Sequence, residues 1–212
     1  MIYAIVHADK EWGIGKGNDM MFSLPKDMKF FRQTTLGHTV VMGGNTLRSF
    51  PGQKPLKNRV NIVLSRGQVC DECVIVRSYD QLKAEMKSRG NDDIYVIGGG
   101  EIYKELLPYC HAALVTKVDA VGGAEVFFPN LDAHPDFVCV DEGEPMDDNG
   151  FTIRFTKYEN KNVQELWENV FRGGCWRKIF YNFIKKVFGK SSKILVNLEK
   201  KYYNKKVEKF TN

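Results

Sequence analysis

The run Met20-Met21-Phe22-Ser23-Leu24-Pro25-Lys26-Asp27-Met28-Lys29-Phe30-Phe31 sets one carboxylate among apolar neighbours. Pro25 suits a first helical turn, where its missing N–H is no loss, and Ser23 stands where an N-cap is expected. The helix that follows carries Leu24, Met28, Phe31 and Thr35 along one stripe, with Asp27 one turn before Phe30 and Phe31. Burying an unpaired charge is costly, so Asp27 is either solvated at the edge of a core or placed for a cationic or amide-like ligand. On its own it also reads as an ordinary first-turn acid, favoured by the helix dipole.

Two glycine clusters carry a second kind of chemistry. Val96-Ile97-Gly98-Gly99-Gly100-Glu101-Ile102-Tyr103 and Val41-Met42-Gly43-Gly44-Asn45-Thr46-Leu47 each join a strand-like run to a helix-like one. Bare backbone N–H groups at a helix start stabilise a phosphate, so together the turns point to a dinucleotide cofactor. Neither matches G-x-G-x-x-G or the P-loop pattern, and either alone is compatible with a tight turn. Ser65 and Arg66 close one strand and Arg77 another, which lets them converge on an extra phosphate or remain solvated.

The elements that must position these groups alternate along the chain. Strands are expected at Tyr3–Ala8, His38–Met42, Arg59–Leu64, Cys73–Val76, Asp93–Ile97 and Ala112–Val118. Helices are expected from Pro25, from Asn45, over Tyr79–Ser88 and over Glu101–Leu107. That alternation is the pattern of β-α-β units and a largely parallel sheet. Phe137–Asp141 and Phe151–Tyr158, joined by an acidic loop, read as an antiparallel edge hairpin.

The chain has 212 residues, 43% of them hydrophobic, enough for one domain with an appendage. No apolar stretch reaches the roughly 18 to 20 residues of a membrane-spanning helix, and Met1–Val6 reads as a buried strand, so a cytoplasmic protein is expected. Cys70, Cys73, Cys110, Cys139 and Cys175 are odd in number and irregularly spaced, which predicts free thiols. A lone C-x-x-C without a partner pair predicts no metal site. The net charge of +5 divides unevenly: residues 161–212 hold 13 Lys/Arg and 4 Asp/Glu, whereas residues 1–160 hold 18 and 22. The expected organisation is a mildly acidic catalytic domain over 1–160 and a basic extension over 161–212.

Taken in order, Gly13-Ile14-Gly15, Leu24-Pro25-x-Asp27 with Phe30-Phe31, Val41-Met42-Gly43 with Thr46, Pro55-Leu56 with Arg59, Leu64-Ser65-Arg66, Ile97-Gly98-Gly99-Gly100 with Ile102-Tyr103, and Phe128-Pro129 carry a family resemblance. Over about residues 1–158 the chain resembles dihydrofolate reductase. The resemblance implies an α/β fold with a mostly parallel eight-stranded sheet flanked by helices. It implies hydride transfer from NADPH to C6 of dihydrofolate, giving tetrahydrofolate. It makes Asp27 the acid that pairs with the pterin and supports protonation of N5, with Thr116 bonded to that acid. It assigns Ile5, Met28, Phe31, Phe50 and Leu56 to the ring-binding pocket and Arg59 to the substrate's α-carboxylate. The cofactor is assigned to His7, Ile14, Gly15, Gly43, Gly44, Thr46, Ile97, Gly98, Gly99, Gly100, Ile102 and Tyr103. Ser65, Arg66 and Arg77 are assigned to its 2′-phosphate. A cis Gly98–Gly99 bond is expected.

The chain also departs from the family. His7 and Ala8 stand where small apolar residues are usual, Phe22 where tryptophan is usual, and Gly44 where arginine is usual. Glu125 and Val126 replace Asp and Thr, which puts the pairing of that loop with the loop around residues 10–22 in question. None of these positions is Asp27.

Beyond residue 160 the resemblance ends. Val163, Leu166, Trp167, Val170 and Phe171 fall on one helical stripe, and Trp176, Ile179, Phe180, Phe183, Ile184, Val187 and Phe188 on a second. Lys178, Lys185 and Lys186 lie opposite. Such amphipathic helices suit an anionic membrane surface, a protein partner or the domain itself, and the single aromatic stripe argues against nucleic acid. The body is expected to be monomeric. Two rival readings are a reductase of the same fold acting on another heterocycle and a binding protein without turnover. Asp27, Phe31 and Arg59 together favour folate.

Overall fold

The computed structural model describes residues 1–67 and 70–166. In chain order the elements are β1 (Ile2–Ala8), β2 (Gly13–Gly15), α1 (Pro25–Thr35), β3 (Thr39–Gly43), α2 (Gly44–Ser49), β4 (Val60–Leu64), β5 (Val74–Val76), α3 (Tyr79–Ser88), β6 (Ile94–Gly98), α4 (Gly100–Leu106), β7 (Ala112–Val118), β8 (Val126–Phe127), β9 (Phe137–Glu142), β10 (Met146–Asp148) and β11 (Phe151–Asn160). Most of the elements expected from sequence start and stop within about a residue of these bounds, and those expected at Tyr79–Ser88 and Ala112–Val118 match.

Eight strands run in the order β10-β11-β7-β1-β6-β3-β4-β5, and a ninth, β9, pairs with β11 beside that path. The stretch from β7 to β5 is parallel throughout, while β9, β10 and β11 are antiparallel. Parallel strands are covered on both faces, and the sequence satisfies this with continuous apolar runs whose alternate residues serve different layers. Val41, Ile62 and Val96 pack on one side with Leu82, Met86, Ile102 and Leu106. Val40, Met42, Val63, Tyr95 and Ile97 pack on the other with Ile5 and Leu47, where Phe30 and Phe31 of α1 join them.

Two features of the far edge were hidden in the sequence. The acidic loop before β11 contains the short strand β10, closed by Asn149 and Gly150, both with positive φ (56° and 85°). That Asn-Gly pair makes a tight hairpin turn. The hairpin fastens the segment ahead of α1: Phe22 meets Phe151 at 4.9 Å between ring centres, and Asn149 Nδ2 donates to the Ser23 carbonyl at 3.0 Å. Ser23 is therefore not the N-cap. Leu24 holds that position without a side-chain bond, and Asp148 of β10 accepts from the backbone N–H groups of Lys26 (2.9 Å) and Asp27 (3.1 Å).

The small sheet pairs β2 with β8, and Glu125 secures it, its backbone N donating to Gly15 O at 2.9 Å and its carboxylate accepting from Gly17 N at 3.0 Å. The departures at Glu125 and Val126 thus leave this pairing intact. The compact unit runs to Leu166, with Gln164 N donating to Pro108 O at 2.9 Å. Of the first expected amphipathic stripe, Val163 is exposed and Leu166 packs against the core, neither of them in a helix; the rest of that stripe, the second stripe and Cys175 lie outside the described residues. Among the described residues no helix is long and apolar enough to cross a membrane, and no group of His, Cys, Asp and Glu is arranged to hold a metal ion. Cys70, Cys73, Cys110 and Cys139 are free thiols.

Candidate active site

α1 crosses the face of the sheet that carries Ile5 and brings Asp27 down onto β1 and β7. Asp27 is 8% exposed. Its Oδ1 accepts a 2.7 Å bond from the hydroxyl of Thr116, and its Oδ2 lies 3.2 Å from Nδ1 of His7. His7 and Thr116 are register partners on the parallel strands β1 and β7, so both side chains leave the sheet on the same side. The acid is therefore held from three elements: its own helix, whose start is fixed by Asp148, and two central strands.

Around it, Ile5 is buried and Phe31, Phe50 and Leu56 are partly buried in the same apolar cluster. Met28 is placed differently. It is 36% exposed and faces a hollow of about 310 Å³ that it shares with Asp19, Met20, Phe22, Ser23, Leu24 and Pro25. The structure thus gathers four of the five expected ring-pocket residues in one cluster and puts Met28 at the rim.

Arg59 stands beyond Leu56. Its Nε donates to the Thr35 hydroxyl at 2.8 Å, and its two terminal nitrogens donate to the carbonyls of Lys57 (2.8 Å) and Arg32 (3.0 Å). Three of its five N–H groups are spent, and each terminal nitrogen keeps one for an outside oxygen. Partial burial, and then the neighbouring Arg32, hold its pKa below the usual guanidinium value. Asn61 sets the approach: its Oδ1 accepts from Leu56 N, and its Nδ2 donates to the carbonyls of Leu56 and Arg59. Asn61 was not among the residues expected at the site. Its signal was a lone amide in the apolar run Val60-Asn61-Ile62-Val63-Leu64, since a buried polar side chain must find partners.

The two glycine turns lie side by side, because β3 and β6 are parallel neighbours and Met42 pairs with Gly98. The Gly98–Gly99 bond is cis, and Gly98 has φ +118°, open to glycine alone at low cost. A Cβ built on Gly99 would stand 3.4 Å from the Thr46 hydroxyl, and one on Gly100 only 2.7 Å from Val126. A Cβ on Gly44 would meet the Ser65 hydroxyl at 2.9 Å, so Ser65 fills the space that a side chain there would use. The turns are bare because their neighbours leave no room. Such a crevice at the carboxyl ends of parallel strands is the usual place for a dinucleotide.

Next along the sheet, the ends of β4 and β5 are tied together. Ser65 N donates to Val76 O at 3.0 Å, and Arg77 Nη1 donates to the carbonyls of Ser65 (2.7 Å) and Gly67 (2.5 Å). Arg66 is exposed beside them. Ser78 turns away to cap α3, accepting from Gln81 N. Tyr103 and Ile102 of α4 are buried, and the Tyr103 hydroxyl donates to Ile5 O at 2.7 Å. Burial, and then the nearby charge of Asp27, raise the phenol's pKa. Ile14 and Gly15 lie on β2, with Ile14 partly buried against the core.

The sequence profile of the family described as dihydrofolate reductase matches residues 1–160. Dihydrofolate reductase of Bacillus subtilis (strain 168) is 32% identical over 165 residues, a span covering 76% of this chain and 96% of the relative. That of Haemophilus influenzae is 37% identical over 144 residues, covering 67% and 88%. Among solved structures, dihydrofolate reductase from Enterococcus faecalis complexed with NADP(H) and RAB-propyl superposes with a TM-score of 0.67 at 26% identity, covering 76% of this chain and 96% of that one. Because the match extends from β1 through β11 and spans nearly the whole of the Bacillus and Enterococcus proteins, this chain belongs to the dihydrofolate reductase family.

Proposed function

We infer that this protein reduces 7,8-dihydrofolate to 5,6,7,8-tetrahydrofolate with NADPH, and that Asp27 is the acid on which the reaction turns. The observation that carries the reading is the buried Asp27 carboxylate, bonded to Thr116 and bordered by Ile5, Phe31, Phe50 and Leu56. Each carboxylate oxygen has two acceptor sites. With Thr116 on one oxygen and His7 on the other, one site per oxygen is left for the adjacent amino and ring N–H groups of a pterin. A negative charge under that end of the ring favours proton uptake at N5, which activates C6 toward hydride. The apolar side chains exclude water and so strengthen the pairing. Arg59 offers two N–H groups as a fork for the substrate's α-carboxylate.

The residues present fit a dinucleotide phosphate cofactor. The glycine crevice between β3 and β6 has no Cβ to obstruct a phosphate, and Thr46 stands against it. Ser65, Arg66 and Arg77 gather at the ends of β4 and β5, where a 2′-phosphate would meet two guanidinium groups, which favours NADPH over NADH. Ile14, Gly15, Ile97, Ile102 and Tyr103 complete the proposed cofactor site, and the Tyr103 hydroxyl, donating to Ile5 O, links it to the apolar cluster beside Asp27. NADPH supplies the hydride.

The assay is oxidation of NADPH by the full chain on addition of dihydrofolate. Turnover that depends on both compounds is expected, with a KM for NADPH far below that for NADH. Binding of NADPH without any consumption would leave a binding protein and overturn the reading.

A further inference from the structure

His7 occupies one acceptor site of Asp27, and its second ring nitrogen has no part in the chemistry above. It is a titratable ring, 8% exposed, with Nδ1 3.2 Å from Asp27 Oδ2. Its other nitrogen, Nε2, is buried and has no hydrogen-bond partner. Buried polar atoms nearly always have partners, so an empty one beside a binding site marks a place that a ligand or a proton completes. The nearest ring, Phe22 at 6.3 Å, has no polar atom to offer.

We propose that His7 is a positioning residue for Asp27, and that the two form one proton-holding unit of the pterin pocket. The inference rests on the reading of Asp27 as the pterin-binding acid. In the neutral ring, the Nδ1–H donates to Oδ2 while Thr116 donates to Oδ1, so the carboxylate plane is fixed from both sides. Nε2 is then free to take up a second proton without disturbing that bond. The unit thus cycles between imidazole–carboxylate and imidazolium–carboxylate. In the reaction, C6 of dihydrofolate gains the hydride, N5 gains a proton and NADPH becomes NADP+. The N5 proton comes from solvent; a proton on Nε2 is not consumed in the step and acts through the positive charge it adds beside Asp27. The other ionisable groups that act on the pair are Tyr103 of α4, which the Asp27 charge reaches, and Asp148 of β10, at the backbone N–H of Asp27. Asp148 is spent on that N–H, and Tyr103 donates to Ile5, which leaves His7, with its unpartnered Nε2, as the group beside Asp27 that has a nitrogen open to a proton.

The test has two arms. In the first, kcat and KM of the full chain are measured between about pH 5 and 9 for the parent and for His7→Gln, which keeps an amide N–H for Asp27 but does not titrate. The parent is expected to show an inflection in the imidazole range that His7→Gln lacks, with kcat differing by about tenfold or more at one end of the range, one pKa unit corresponding to tenfold. Superimposable profiles overturn the proposal. In the second arm, nitrogen NMR follows the His7 ring without substrate. The neutral ring is expected in the Nδ1–H form, and its titration should move in Asp27→Asn. A neutral ring in the Nε2–H form, or a titration indifferent to Asp27→Asn, overturns the proposal. This arm does not depend on turnover: a parent that fails to oxidise NADPH refutes the enzymatic reading, while the ring's tautomer still decides the pairing.

Discussion

At the scale of single residues, the site depends on hydrogen bonds that are already made before substrate arrives. Arg59 is the clearest case, since bonds to Thr35, Lys57 and Arg32 hold its fork in place. Arg59→Lys keeps the charge but loses the fork, so the KM for dihydrofolate should rise about 10- to 100-fold with kcat nearly unchanged, as expected for binding lost equally in ground and transition states. A comparable fall in kcat would show that Arg59 acts in the chemical step. Asp27 was legible in the sequence only in company: alone it also read as an ordinary first-turn acid, and the glycine turns, Arg59 and Thr116 gave it a role. The contact of His7 with Asp27 was not legible, because it joins residues 20 positions apart across a helix and a strand. Sequence placed His7 near the cofactor; the structure shows its ring on the acid.

At the scale of elements, a β-hairpin distant in sequence fixes the start of α1. The Asn149–Gly150 turn sets the register that pairs Asp148 with Phe151, and Asp148 caps α1 at Lys26 and Asp27. A carboxylate at a helix N-terminus offsets both the orphan N–H groups and the positive end of the dipole. Asp148→Ala removes a buried, charged acceptor of two N–H groups, so a loss of about 2 to 3 kcal/mol is expected in chemical denaturation. Activity should fall as well, because Asp27 loses its anchor. An unchanged denaturation midpoint would mean that Pro25 and the packing of Leu24 hold the helix alone. Ser23 looked like the cap because capping rules are local, whereas the group that does the capping lies more than 120 positions away. The parallel strands and the glycine turns were legible because their signals are local too, in apolar runs that end in glycine.

At the scale of the whole molecule, one sheet backs Asp27 of α1, Arg59 just ahead of β4 and the glycine crevice between β3 and β6. The outer strands are locked to the core through Asp132, which accepts from Tyr158 at 2.5 Å and from Lys117 at 2.9 Å. Desolvation pushes the Asp132 pKa upward, but the bonds to Tyr158 and Lys117 outweigh it and leave the carboxyl below its usual value. A depressed carboxyl stabilises the fold at neutral pH, and that contribution is lost as pH falls through the folded-state value. Acid should therefore destabilise the parent more steeply than Asp132→Asn, and parallel curves of Tm against pH would show that the group contributes nothing. In the proposed function the hydride transfer of the whole molecule depends on Asp27. The decisive measurement is the hydride-transfer rate in a single turnover, with enzyme in excess over dihydrofolate and NADPH bound, in the parent and in Asp27→Asn. A measurable transfer is expected in the parent and a rate about 10²- to 10⁴-fold lower in the variant at neutral pH, with NADPH affinity retained. Equal rates in the two proteins would contradict that dependence.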